Sequence, residues 1–194
     1  MIAYMQLGGK MKLYHYFEKE RGPFCNLSDL SLDDAKSILD EIKRLNQIYA
    51  AKRDETYIKR RFEYENLTRK LFGIKGGKVI RDRPHYMVVE ACDWLKSWYK
   101  DGCDINIDIT RLDTDTISFT YGDMFPTFGP KGDDSTEYRK QVYTYKEILN
   151  IIQKYGLPQQ WNQNGQKGPI RYIEAQIWSD DTIKKILKYC GLRI

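Results

Sequence analysis

"RYIEAQIW", residues 171–178, decides how the chain is read. Strict alternation, the period of an extended strand, sets Ile173, Ala175 and Ile177 on one face and Tyr172, Glu174, Gln176 and Trp178 on the other. The first face is a core face. The second carries two aromatic rings, one acid and one amide, which suits a solvated sheet surface or the floor of a ligand pocket.

Working outward, "TYKEILNIIQKYG" (144–156) predicts a helix with a Thr144/Glu147 capping box and a Gly156 stop. A polar Gln/Asn/Gly loop joins it to the strand, and after the strand Ser179 or Asp180 caps a last helix carrying Ile183, Ile186 and Leu187. "KLYHYF" (12–17) is a first strand, with Leu13, His15 and Phe17 on one side and Tyr14 and Tyr16 on the other. "SLDDAKSILDEIKRLNQIYAA" (31–51) keeps the three-and-four spacing of an amphipathic helix, and a second helical pattern runs from about Asp54 to Phe72. "PHYMVVEA" (84–91) and "DINIDIT" (104–110) read as strands, with a short helix at "WLKSWY" (94–99) between them. "TISFTYGDMFPTFGPKGDD" (116–134) begins as a strand and continues as a long loop of the kind that serves recognition or closure. Strands and helices do not alternate regularly, so the expected class is α+β rather than a doubly wound parallel sheet.

A chain of 194 residues is long enough for one domain with its own core, expected over 11–194, with a helical insertion at about 31–72. Residues 1–10 are expected to be a flexible extension. No apolar run approaches the roughly 20 residues a membrane helix needs, and the first residues lack a signal-peptide pattern. Cys25, Cys92, Cys103 and Cys190 are irregularly spaced, with only His15 and His85 as possible co-ligands, so neither a zinc site nor a disulfide framework is indicated. Reduced thiols and a cytoplasmic location are the expectation.

Net charge is +5, unevenly spread. Between Tyr57 and Arg83 stand Lys59, Arg60, Arg61, Arg69, Lys70, Lys75, Lys78, Arg81 and Arg83 against Glu63, Glu65 and Asp82. Such a segment attracts a nucleic acid or a dinucleotide's diphosphate, or serves as a solvated helix face. The glycine pairs of "LGGK" and "IKGGK" lack phosphate-loop spacing, and no nucleophile elbow, HExxH helix or kinase signature is present.

Taken together, LYHYF with His15, PHYMVV with Tyr86 and YIEAQIW with Glu174 resemble the His-Tyr-Glu branch of the ADP-ribosyltransferase family, toxin-like enzymes in which a split, mainly antiparallel sheet grips NAD. The resemblance covers most of residues 11–190 through short motifs. It implies NAD as substrate, Glu174 as the catalytic carboxylate, and His15, Tyr16, Tyr86, Arg171 and Trp178 as NAD-binding residues. Gln176, Tyr121, Asp123 and Phe125 are then candidates for acceptor recognition. A macromolecular acceptor is expected, nucleic acid ahead of protein, and a neutralising partner protein is compatible with a toxin-like enzyme. The family's Ser-Thr-Ser stretch is missing, and the 54–72 helix is extra. Two other readings stand beside this one: a non-enzymatic nucleic-acid-binding protein using the basic, aromatic segment 57–83, and a partner-binding module using the 31–72 helices.

Overall fold

A computed structural model describes residues 11–130 and 133–192. The stretch expected to be a flexible extension, 1–10, lies outside the described residues. The elements in chain order are β1 (Lys12–Glu18), α1 (Leu32–Leu45), α2 (Tyr57–Ile74), β2 (His85–Val89), α3 (Asp93–Lys96) and β3 (Gly102–Asp108). They continue with β4 (Ile117–Thr120), α4 (Met124–Phe128), α5 (Tyr145–Tyr155), α6 (Pro158–Trp161), β5 (Glu174–Ile177) and α7 (Asp180–Tyr189). The class is α+β: one five-stranded sheet of order β3-β1-β2-β5-β4, every neighbouring pair antiparallel.

Local chemistry explains the element ends. Ser31 caps α1 by accepting from the Asp34 N–H, and Asn46 ends that helix in the left-handed region. The Thr144/Glu147 capping box opens α5, and Gly156, at φ +75°, closes it. Ser179 caps α7. Strand β5 is shorter than its alternation predicts because Arg171–Ile173 lie outside the ladder.

The pleat separates two unlike faces. Leu13, Met87, Ile107, Phe119, Ala175 and Ile177 form one, and they pack on Ile148 and Ile152 of α5 and Ile183 and Ile186 of α7 in the main core. The other presents Tyr14, Tyr16, Tyr86, Val88, Ser118, Thr120, Glu174 and Gln176, and α2 crosses part of it: Phe72 packs on Trp178, and Glu65 accepts from the Tyr86 hydroxyl. All four residues of β5 are buried, so this second face is neither solvated nor wholly open as a floor.

Strand β1 follows β3 for seven register pairs but β2 for only two, Leu13 with Val89 and Tyr14 with Val88. Beyond that point β1 and β2 part, and the His15 side chain fills the gap. Its Nδ1–H donates to the Tyr86 carbonyl at 2.9 Å, and its Nε2 accepts from the Phe24 N–H at 2.8 Å. The imidazole thus replaces the ladder bonds the split removes, which satisfies backbone groups that would otherwise be orphaned.

Candidate functional site

A cleft of about 780 Å³ opens between the polar face of the sheet, the α1–α2 hairpin and the segment before α4. This volume lies within the range of small-molecule sites. Its lining includes Glu174, Asp123, Tyr172, Tyr86, Arg61 and Arg53.

Glu174 is buried, and its Oε1 accepts from Gln176 Nε2 at 3.0 Å. Burial, with the Asp123 carboxylate second, pushes its carboxyl up to about 8. Asp123 caps α4 by accepting from the Phe125 N–H at 2.8 Å, and its other oxygen accepts from the Tyr172 hydroxyl at 3.2 Å. Desolvation raises this carboxyl as well. Two carboxyl groups thus face one desolvated space, an arrangement common at sites that handle cations or protons.

A second polar cluster borders them. Glu65 Oε1 accepts from Ser28 Oγ at 2.5 Å, from Arg61 Nε at 3.0 Å and from the Tyr86 hydroxyl. The Arg61 guanidinium lies 4.6 Å from the Tyr86 ring centre and donates to Asn26 Oδ1 at 2.7 Å. The Tyr86 ring is therefore clamped in place, and burial raises its hydroxyl well above the ordinary phenol range. Arg53 stacks over Tyr57 at 4.1 Å, and neither it nor Lys52 is ion-paired among the described residues. These two cations stand on the cleft wall.

Compared with family models, curated proteins and solved structures, the chain matches none.

The cleft gathers Glu174, Tyr86, Asp123, Phe125 and Tyr16 from the expected residues. Phe125 stacks on Tyr57 at 5.0 Å, and the Tyr16 hydroxyl accepts from the Cys92 N–H at 2.7 Å. The remaining expectations need correction. His15 borders the cleft, but both of its ring nitrogens serve backbone groups and burial lowers it to about 4, so it is a neutral strut with no free nitrogen for a ribose. Arg171 lies outside the cleft lining, with its guanidinium 3.8 Å from the Trp94 ring centre. Trp178 is sealed between Phe72 and Val142, with Nε1 donating to Ser118 Oγ at 2.8 Å. Tyr121 is core, its hydroxyl donating to the Gly156 carbonyl at 2.9 Å. Gln176 is fully enclosed and reaches Glu174 rather than an acceptor.

Sequence reasoning did not single out Arg53 or Trp98, and it counted Arg61 and Glu65 only as charges of the basic segment. The basic segment also looks different in three dimensions: seven of its nine cations are ion-paired within the chain. Arg60 pairs with Asp54, Arg61 and Arg83 with Glu65, and Arg69 with Asp82. Lys75 pairs with Glu147, Lys78 with Asp113 and Asp115, and Arg81 with Asp29 and Asp180. Much of the charge fastens α2 to its neighbours instead of forming an open basic stripe. Among the described residues no cluster offers three metal-ligating side chains, and no helix is long and apolar enough to cross a membrane.

Proposed function

We propose that the cleft binds NAD and that Glu174 promotes rupture of its bond between nicotinamide and ribose, with transfer of ADP-ribose to a macromolecular acceptor. The observation that carries this is the polarity of the cleft: the buried Glu174 and the half-buried Asp123 at its floor, and Lys52 and Arg53, which make no ion pair among the described residues, on its wall. NAD has the matching pattern, a cationic pyridinium at one end and an anionic diphosphate behind it.

Burial, with the Asp123 carboxylate beside it, favours the protonated form of Glu174 in the resting protein. A bound pyridinium brings a full positive charge beside it and favours the carboxylate. Breakage of the C1′–N bond leaves its electron pair on nicotinamide, which departs neutral, while positive charge develops on the ribose. The Glu174 carboxylate stabilises that charge and accepts from the 2′-hydroxyl. The acceptor's nucleophilic atom then bonds to C1′, and its proton passes to Asp123. Tyr86, clamped by Arg61 and Glu65, offers a ring face for nicotinamide.

Incubation with NAD tests this. Released nicotinamide and an NAD-dependent rise in melting temperature are expected. Absence of both overturns the proposal.

A further inference from the structure

We infer that the outer end of the cleft is a stacking subsite for a purine base, with Trp98 as its platform and Tyr49 as the side chain that occupies it beforehand, an inference that rests on the nucleotide reading of the cleft. Trp98 and Tyr49 both line the cleft. Their rings stack face to face, with centroids 3.9 Å apart and planes 14° from parallel, the geometry a base adopts on an aromatic side chain.

The platform is braced from behind. Trp94 meets Trp98 edge to face at 4.8 Å, and the Arg171 guanidinium covers Trp94. These contacts fix the plane of Trp98. Trp98 Nε1 is buried with no hydrogen-bond acceptor among the described residues, although an indole N–H out of water ordinarily finds one. That N–H points along the ring plane, so a base stacked on Trp98 does not meet it; recognition at this subsite is through the stacked face, and the fused rings of a purine cover the indole more fully than a single six-membered ring does.

Besides Trp98, the Tyr49 ring meets Trp94 edge to face at 6.4 Å and lies 5.5 Å from Lys52 Nζ, yet its backbone is lightly held. Tyr49 is 38% exposed and opens a four-residue turn, Tyr49–Lys52, with no buried residue and no side-chain cap. Its backbone N–H donates to the Trp98 carbonyl at 3.2 Å. Segments of this kind open at low cost. Lys52 and Arg53, three and four positions after Tyr49, line the same cleft, and their charge suits a diphosphate. The wall that holds Tyr49 belongs to the helical insertion, so this subsite is a property of this chain's own architecture.

The experiment is titration of the full chain with ADP and, separately, with nicotinamide mononucleotide, in wild type, Trp98→Ala, Trp98→Phe and Tyr49→Ala. ADP affinity is expected to fall about tenfold or more in Trp98→Ala, and less in Trp98→Phe, which keeps a ring with a smaller stacking face. Tyr49→Ala is expected to bind ADP more tightly, because the competing ring is gone. Nicotinamide mononucleotide should bind all four proteins alike. Should Trp98→Ala not fold, the other two variants decide. Unchanged ADP affinity in the Trp98 and Tyr49 variants, with NAD still cleaved, overturns the subsite alone. Failure of wild type to bind either nucleotide overturns the subsite together with the NAD reading.

Discussion

Gln176 donates through Nε2 to Glu174 Oε1 across 3.0 Å, two positions away on the same strand face. The amide cannot turn over without loss, because its Oε1 accepts from Ser118 Oγ at 2.7 Å and its Nε2 also reaches Thr120 Oγ1 at 3.0 Å. One oxygen of the carboxyl is thereby held. Gln176 is a positioning residue, and its hydrogen bond lowers the pKa of Glu174 against the upward push of burial. Gln176→Met should cut nicotinamide release about tenfold and move the ionisation that controls it to higher pH, which a pH–rate profile reads directly.

Glu174 itself costs stability. Its folded pKa of about 8 lies above the ordinary 4.5, so the folded chain binds more protons than the unfolded chain between those values, and stability falls as pH rises through that window. Glu174→Gln removes this cost. At pH 8 the variant is expected to be more stable by on the order of a few kcal/mol, several degrees in Tm, while at pH 4.5 the two proteins converge. Equal Tm differences at both pH values would contradict the buried, protonated carboxyl.

The histidines act with the opposite sign. Burial lowers both His15 and His85 to about 4 from 6.5, so the unfolded chain takes up protons that the folded chain does not as pH falls through this window. Their contribution is complete above pH 6.5 and is lost toward pH 4, on the order of 1 kcal/mol or more each. Protonation of His15 Nε2 also evicts the Phe24 N–H it accepts. In thermal melts from pH 7 to 4, His15→Ala should start lower and lose stability less steeply than wild type. An identical slope would show that His15 already titrates normally in the folded state.

Glu65 and Arg61 form a buried pair, with side chains 0% and 12% exposed. Glu65→Leu takes the carboxylate from Arg61 and Arg83, leaving Arg61 only its neutral partners such as Asn26, and frees the Tyr86 hydroxyl, an expected loss of about 3–5 kcal/mol in denaturant unfolding. Adding Arg61→Met should restore much of that stability, because an apolar pair needs no partner, but should leave nicotinamide release low with the Tyr86 ring unclamped.

The sheet was legible because alternation is local: Ile173, Ala175 and Ile177 turn to the core as their spacing requires, and Glu174 shares the opposite face with Gln176. His15 stood on the Leu13 face by the same rule, and the core-side position it occupies follows from alternation rather than from family resemblance. Segment 57–74 was legible as a helix but not as a buried one. Its apolar residues are spread around the axis, the pattern of a helix covered on several sides, while its charges suggested solvent. Whether a charge faces water or a partner dozens of positions away, as Arg81 faces Asp29 and Asp180, depends on tertiary contacts that no local spacing encodes. Asp123 was placed in a recognition loop, and its pairing with Glu174 required knowing that α4 docks beside Tyr172.

The most direct measurement is NAD turnover by wild type and Glu174→Gln, with label in the adenylate portion and cellular RNA, DNA and protein offered separately as acceptors. Wild type should release nicotinamide and label one acceptor class, while Glu174→Gln, folded and at least as stable, should lose about a hundredfold or more in rate. Equal turnover by the two proteins, or none by wild type, would contradict a catalytic Glu174.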